Sequence, residues 1–283
     1  MSANRIYVPR ETTAVSVGAD EVAVAIAKEA KLRGIELELV RNGSWGACWL
    51  EPLIEVARDE QRIAYGNIAP DDVPSLFEAG FLDGGEHEKR LGPVNEIDYL
   101  ITQDRWTFWR CGLVEALSLD DFLAHQGFKA LQKAWETGPD AVIDAVTASG
   151  LRGRGGAGFP TGIKWRTVAD TDADRKYIAC NADEGDSGTF SDRMLMEGDP
   201  FGLIEAMAIA GYAVGASKGY IYLRSEYPLT RTILERALAM ARDAGWLGEN
   251  IQDSGFDFNI ELHLGAGSYV CGEETAMLES LEG

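Results

Sequence analysis

Between Gly150 and Trp165 the chain reads G-L-R-G-R-G-G-A-G-F-P-T-G-I-K-W, with six glycines in the first thirteen positions. Glycines permit positive φ and close ligand approach, and successive backbone N–H groups form an anion-binding concavity. Arg152, Arg154 and Lys164 add positive charge, and Phe159 offers a ring face for stacking. Fifteen residues beyond Trp165 comes Cys180-Asn-Ala-Asp-Glu-Gly-Asp-Ser-Gly-Thr-Phe, which sets Asn181, Asp183, Glu184 and Asp186 just past a short apolar run. Carboxylates there are strong acceptors for ribose or ribityl hydroxyls. A third segment, Gly265-Ala-Gly-Ser-Tyr-Val-Cys-Gly-Glu-Glu-Thr, turns from a strand into a helix and offers another anion platform. Together the three point to a phosphate-bearing cofactor.

Competing readings bear on each segment. Gly153, Gly155 and Gly158 fit G-x-G-x-x-G, yet the preceding Ala141 to Ser149 is helical in pattern, and Pro160 stands where the fingerprint's helix should be under way. The ordinary dinucleotide fold is therefore disfavoured at this loop. Three carboxylates within four residues suggest a calcium loop, but the spacing of a known calcium motif is lacking. Glu273 and Glu274 at a helix start are also suited simply to complementing the macrodipole.

The elements that hold these loops alternate. Ile6-Tyr-Val is a strand. Asp20 to Arg33 is a helix with an acidic N-cap, ended by Gly34, and Ile35 to Val40 alternates as a half-buried strand. Pro52 to Ala57 and Arg62 to Tyr65 form a hairpin with Asp59-Glu60 at its turn, and Pro70 opens a helix. Ser118 to Asp121 precedes a helix from Phe122, and another spans Pro139 to Ser149. Then follow the strand Tyr177 to Cys180, a helix with Pro200 at its first position, the strand Tyr220 to Leu223, and a helix Leu229 to Ala244. Last come an alternating strand Phe256 to Leu264 and a helix near Glu273. Strands and helices in this order give an α/β fold with a parallel or mixed sheet.

With 283 residues, two domains are expected. A net charge of −20 disfavours nucleic acid and anionic membranes as partners, and no apolar run approaches the length of a membrane span. Cys48, Cys111, Cys180 and Cys271 are far apart with no C-x-x-C, so no metal site is assigned. Free thiols and the lack of a signal-peptide core place the chain in the cytoplasm.

From about Asp104 to Gly283 the segments L-R-G-R-G-G-A-G-F-P-T-G-x-K-W, C-N-A-D-E-G, G-T-F-x-D-R and G-A-G-x-Y-x-C-G-E-E-T-A resemble the flavin subunit of the NADH dehydrogenase module of respiratory complex I. The same subunit type serves NAD-linked hydrogenases and formate dehydrogenases. The resemblance implies a Rossmann-like α/β flavin domain that binds FMN through Gly153, Arg154, Gly155, Gly156, Lys164, Asn181, Asp183, Glu184, Tyr269, Gly272 and Glu273. It implies NAD(H) contacts for Phe159, Asp186 and Glu274. Asp186-Ser187 departs from the Glu-Pro usual in respiratory members, leaving the carboxylate one methylene shorter.

The N-terminal region resembles the thioredoxin-like domain that carries a 2Fe-2S cluster in a companion subunit. Asn42-Gly-Ser-Trp-Gly-Ala-Cys48-Trp-Leu-Glu-Pro-Leu matches that domain's T-G-C-x-G-x-C-x-x-E-P-L, with Ser44 at the place of a ligand cysteine. This copy is expected to hold no cluster. The resulting division is residues 1–84 as a thioredoxin-like domain, 85–103 as a linker and 104–283 as the flavin domain. The family continues past Gly283, so the flavin domain is expected to be incomplete, with a 4Fe-4S cluster only in what would follow. A cluster-free domain fused in this way most resembles the beta subunit of soluble molybdenum-dependent NAD-linked formate dehydrogenases. That resemblance implies a diaphorase, an iron–sulfur companion subunit with a 2Fe-2S domain and a molybdenum-bearing catalytic subunit. The alternatives are the same module in a hydrogenase or a quinone reductase, or a flavin-free structural subunit.

Overall fold

The computed structural model describes residues 4–59, 61–186 and 188–283. Glu60 of the expected hairpin turn and Ser187 lie outside them. The chain divides into two compact units, Met1–Ser118 with Glu197–Asp199, and Leu119–Met196 with Pro200–Gly283.

In the first unit the strands are β1 (Asn4–Tyr7), β2 (Leu37–Val40), β3 (Ile54–Arg58), β4 (Gln61–Tyr65) and β5 (Arg90–Pro93). Its helices are α1 (Thr12–Ser16), α2 (Ala19–Arg33), α3 (Val73–Glu78) and α4 (Asp98–Ile101). The sheet order is β2-β1-β3-β4-β5. β1 and β2 are parallel from Asn4↔Leu37 to Tyr7↔Val40, joined by α2, and the antiparallel hairpin β3–β4 is added on the other side of β1. This βαβ unit followed by a ββ pair and a helix is the thioredoxin-like arrangement. Ile6, Val22, Ile26, Ile54, Val56, Tyr65 and Phe81 fill its core. The stretch 85–103 expected as a linker supplies β5 and α4, because Arg90 to Pro93 extend the sheet beside β4. The expected acidic cap of α2 is also replaced: Gly18 at φ 104° is its N-cap, without a side-chain bond, and Asp20 and Glu21 lie in the first turn. There they complement the helix dipole.

The second unit carries α5 (Leu119–Ala124), α6 (Lys129–Thr137), α7 (Pro139–Ser149), α8 (Thr161–Asp170), α9 (Ser191–Gly198) up to Met196, α10 (Pro200–Val214), α11 (Pro228–Asp243) and α12 (Glu274–Glu282). Its strands β6 (Tyr177–Ala182), β7 (Lys218–Leu223) and β8 (Asn259–Leu264) form a parallel sheet in that order. Each strand pair is joined by a helical crossover, so all three loops at the strands' carboxyl ends meet on one side, where open α/β sheets place their ligands. Ile204, Ala208, Ile221, Leu223, Ile233, Phe258 and Ile260 are buried between sheet and helices. Gly211 and Gly219 leave room for the Phe258 ring, which a Cβ at Gly219 would approach to 3.0 Å.

Two helices differ from expectation. α8 follows the glycine loop because Pro160 (φ −62°, ψ 120°) sits at the N-cap rather than inside the helix, where its missing N–H costs nothing. α9 is started by a carboxylate seven residues upstream, Glu184. Among the described residues no helix is long and apolar enough to cross a membrane, and no group of three or more His, Cys, Asp or Glu is placed to hold a metal. All four cysteines are free thiols.

Candidate cofactor site

The glycine loop is the connection of a helical hairpin. α7 ends at Gly150 (φ 68°), and the loop's neck is tied by Gly153 N to Phe159 O at 2.9 Å and by Thr161 N to Leu151 O at 2.9 Å. Arg152 donates from Nη1 to Gly158 O across the loop at 2.9 Å. Gly156 and Gly158 adopt φ of 102° and 60°, the left-handed region that glycine enters without strain. Among the described residues the N–H groups of Gly155 and Gly156 find no acceptor within the chain, which leaves them for a ligand. Gly162 is a motif glycine with a packing role that the sequence does not reveal. A Cβ there would come within 2.7 Å of Thr147 Cα, so only glycine lets α8 pack on α7. Arg166 staples the same two helices, 2.5 Å from Asp140 and 3.1 Å from Asp144.

The second segment leaves the end of β6. Asn181 donates from Nδ2 to Cys271 O at 2.7 Å and so joins this segment to the third. Glu184 is buried, and its carboxylate accepts from Ser191 Oγ (3.2 Å), Asp192 N (2.9 Å), Arg193 N (3.1 Å) and Tyr227 Oη (3.0 Å). Four donors on one carboxylate make it the cap of α9 rather than a free acceptor. Asp183 and Asp186 keep partly exposed carboxylates beside it. Burial and then the nearby Glu184 push the Asp192 carboxyl above its usual range. Gly185 is closely covered by the Tyr269 ring, which a Cβ there would meet at 2.6 Å.

In the third segment Glu273 is the N-cap of α12, accepting from Ala276 N at 2.8 Å and Thr275 N at 3.1 Å. Those two amides hold its carboxyl below the usual carboxylate range. Glu274 follows in the first turn, exposed, with Oε2 3.6 Å from Lys164 Nζ. Lys164 in turn stands 6.0 Å over the centre of the Phe159 ring.

The three segments enclose two adjoining cavities. One, of about 580 Å³, is largely apolar and is walled by Phe159, Trp165, Val168, Tyr177, Ile178 and Met277, with Gly153, Lys164 and Glu274 at its polar end. The other, of about 750 Å³, is lined by Arg154, Asp183, Glu184, Asp186, Tyr269 and Glu273. Gly155, Asn181, Cys271 and Gly272 belong to both. Of the residues singled out in the three segments, all line one cavity or the other except Gly156, which shapes the loop, and Arg152, whose guanidinium is turned to Gly158 O. Trp165, Cys271, Gly185 and Tyr227 join the site without having been singled out. Trp165 stands in a quoted motif, but its place against β6 depends on the unexpected helix α8. A planar aromatic ring system fits the apolar cavity, and a phosphate fits the free amides with Lys164. Sugar hydroxyls suit Asp183 and Asp186.

Residues 146–283 match the model of the Nuo51 FMN-binding domain. The chain is 56% identical over 173 residues to HndC, a component of the NADP-reducing hydrogenase of Solidesulfovibrio fructosivorans, covering 61% of this chain and 35% of that protein. It is 52% identical over 166 residues to the F component of the NADH-quinone oxidoreductase of Aquifex aeolicus, covering 59% of this chain and 39% of the relative. Among solved structures, an NAD+-reducing [NiFe]-hydrogenase in the H2-reduced state matches 100% of this chain and 46% of its own, with 28% identity and a TM-score of 0.50. The chain thus spans less than half the length of these relatives.

Proposed function

Residues 146–283 belong to the Nuo51 FMN-binding domain family, and from that premise we propose that the chain is the diaphorase part of a multisubunit cytoplasmic oxidoreductase. In this reading it binds FMN and NAD(H), passes electrons to or from iron–sulfur centres of a companion subunit, and works beside a molybdenum-dependent formate dehydrogenase subunit. The observation that carries it is the meeting of the free-amide glycine loop, Lys164 and the acidic turn around two adjoining cavities. When bound, FMN supplies hydride exchange with nicotinamide and single-electron transfer. The chain's own part is to hold phosphate on the Gly155 and Gly156 amides and Lys164, and to face an aromatic ring with Phe159 and Trp165. Asp183 and Asp186 accept from hydroxyls, and the apolar walls exclude water. No side chain is needed as acid or base. The hydrogenase setting is the second reading, favoured by the hydrogenase chain that aligns with both units. A visible absorbance spectrum of the purified chain supplied with FMN tests the reading, since retained flavin bands are expected. A colourless protein after desalting would count against it.

The preferred dinucleotide is expected to be NAD(H). Asp183, Asp186 and Glu274 make the site negative, and the 2′-phosphate of NADPH would meet like charge. With an artificial acceptor, kcat/KM for NADH should exceed that for NADPH by about tenfold or more. Equal values would instead align the chain with its NADP-reducing relative.

The first unit is expected to hold no iron. Ser44, at the place of a ligand cysteine, is 2% exposed, lies 2.7 Å from Glu51 Oε1 and accepts from Gly46 N at 3.0 Å. Up to Ser118 only Cys48, Cys111 and His87 offer thiolate or imidazole ligands, short of the four a 2Fe-2S cluster needs. After anaerobic reconstitution of the 283-residue chain with iron and sulfide, no stoichiometric cluster should remain on gel filtration. A 2Fe-2S EPR signal on reduction would refute this.

A further inference from the structure

The turn from Asp183 to Asp186 is gripped from outside the cavity it lines. β6 and β7 pair in parallel up to Ala182↔Leu223, so the residue after β7 arrives beside the end of β6, and Arg224 N donates to Ala182 O at 3.2 Å. Arg224 Nη1 then reaches Glu184 O at 2.5 Å, while its Nε pairs with Glu226 Oε2 at 3.3 Å. Tyr227, at the N-cap of α11 and 8% exposed, donates from Oη to Glu184 Oε2 at 3.0 Å. The guanidinium carbons of Arg193 and Arg224 lie 5.7 and 5.5 Å from the centre of its ring. One residue of the turn is thus fixed at its carbonyl and again at its carboxylate.

We propose that Arg224 and Tyr227 are positioning residues of the cofactor site, clamping Glu184 so that the turn presents Asp183 and Asp186 to the polar cavity. Each residue of a turn has two soft dihedrals, and two anchor points on Glu184 remove most of that freedom from its neighbours. Neither Arg224 nor Tyr227 lines the polar cavity, and the recess that Arg224 does line with Asp183, Gly185 and Tyr269, about 40 Å³, is too small for a cofactor, so both act through the turn. Arg224 is not replaceable by lysine without loss, because its planar fork serves Glu184 O and Glu226 at once. Tyr227 is needed for one hydrogen bond to a charged group, which phenylalanine cannot make.

The role in dinucleotide binding rests on the function proposed above; the clamp itself does not. In the full chain, amide hydrogen exchange at Thr189, Asp192 and Arg193, whose N–H groups bond the Asp186 carbonyl and the Glu184 carboxylate, should run about tenfold faster in Tyr227→Phe and Arg224→Met, with exchange in β6 unchanged. In the flavin-loaded chain the same variants should raise KM for NADH about tenfold and leave kcat with an artificial acceptor within about twofold. Arg224→Lys should fall between parent and Arg224→Met. Tyr227→Phe removes a single oxygen and keeps the test open should Arg224→Met fail to fold. Unchanged exchange at Thr189, Asp192 and Arg193 would overturn the clamp, and a fall in kcat at constant KM would overturn the positioning role. Failure of the parent to bind flavin would count against the proposed function alone, because the exchange measurement still decides the clamp.

Discussion

Replacing Lys164 with alanine should release flavin from the chain, weakening FMN binding by about 1.5–3 kcal/mol, roughly 10- to 150-fold. Lys164 sits in the first turns of α8, at the polar end of the apolar cavity and next to the glycine loop whose amides are free. Its only salt bridge among the described residues is to Glu274, at 3.6 Å, with side-chain exposures of 58% and 77%. An ion pair so exposed contributes little to stability, so the substitution should leave the fold intact. The loss is then one of charge-assisted binding to an anionic cofactor and not one of folding. Titration of the apo chain with FMN, followed by fluorescence quenching, reads the dissociation constant directly, and thermal denaturation of the apo chain checks the fold. Lys164→Arg should retain much of the affinity, since it keeps the charge. Affinity unchanged in Lys164→Ala would remove Lys164 from the site.

What the sequence reveals and what it hides follow one physical distinction. Features set by local chemistry are legible: Gly34 closing α2, Pro139 and Pro200 opening α7 and α10, and the period-two runs that become β2 and β8. The site loops are legible too, because glycines and short polar residues after a strand have few other uses. Features set by distant partners are not. α9 depends on Glu184 from another element, and Tyr227 reaches that carboxylate across 43 residues of sequence. The packing role of Gly162 requires knowing that α7 and α8 touch at Thr147. β5 escapes notice because a polar, glycine-containing stretch looks like a linker until the partner strand β4 is in place. Carboxylate count is also a poor guide to free acceptors, since Glu184 and Glu273 are both engaged as helix caps.

The same pattern of buried carboxylates gives the first unit a pH dependence that runs against the common one. Glu51 is 5% exposed, with Oε1 2.7 Å from Ser44 Oγ and Oε2 accepting from Leu53 N at 2.8 Å. Burial, reinforced by the nearby Glu11 and Glu55 carboxylates, outweighs those two bonds and pushes its carboxyl from 4.5 to about 7. A raised carboxyl pKa means that the folded chain keeps a proton which the unfolded chain has already released. Stability is therefore fully present below about pH 4.5 and declines as pH rises through about 7, the reverse of a salt-bridged acid. A difference of that size corresponds to about 3 kcal/mol between the two ends of the window. Glu55 is buried beside it, but the Arg62 guanidinium at 3.3 Å offsets part of its desolvation, whereas Glu51 has no cation against it among the described residues. Glu51→Gln keeps the shape and the acceptor for Leu53 N and never needs to ionise. The variant should be more stable than the parent above pH 7, by about 1–3 kcal/mol, with the advantage shrinking towards pH 5. Urea denaturation of both proteins at pH 5 and pH 8 measures that difference, and an advantage of Glu51→Gln that did not grow with pH would show that Glu51 is ionised in the folded chain at both.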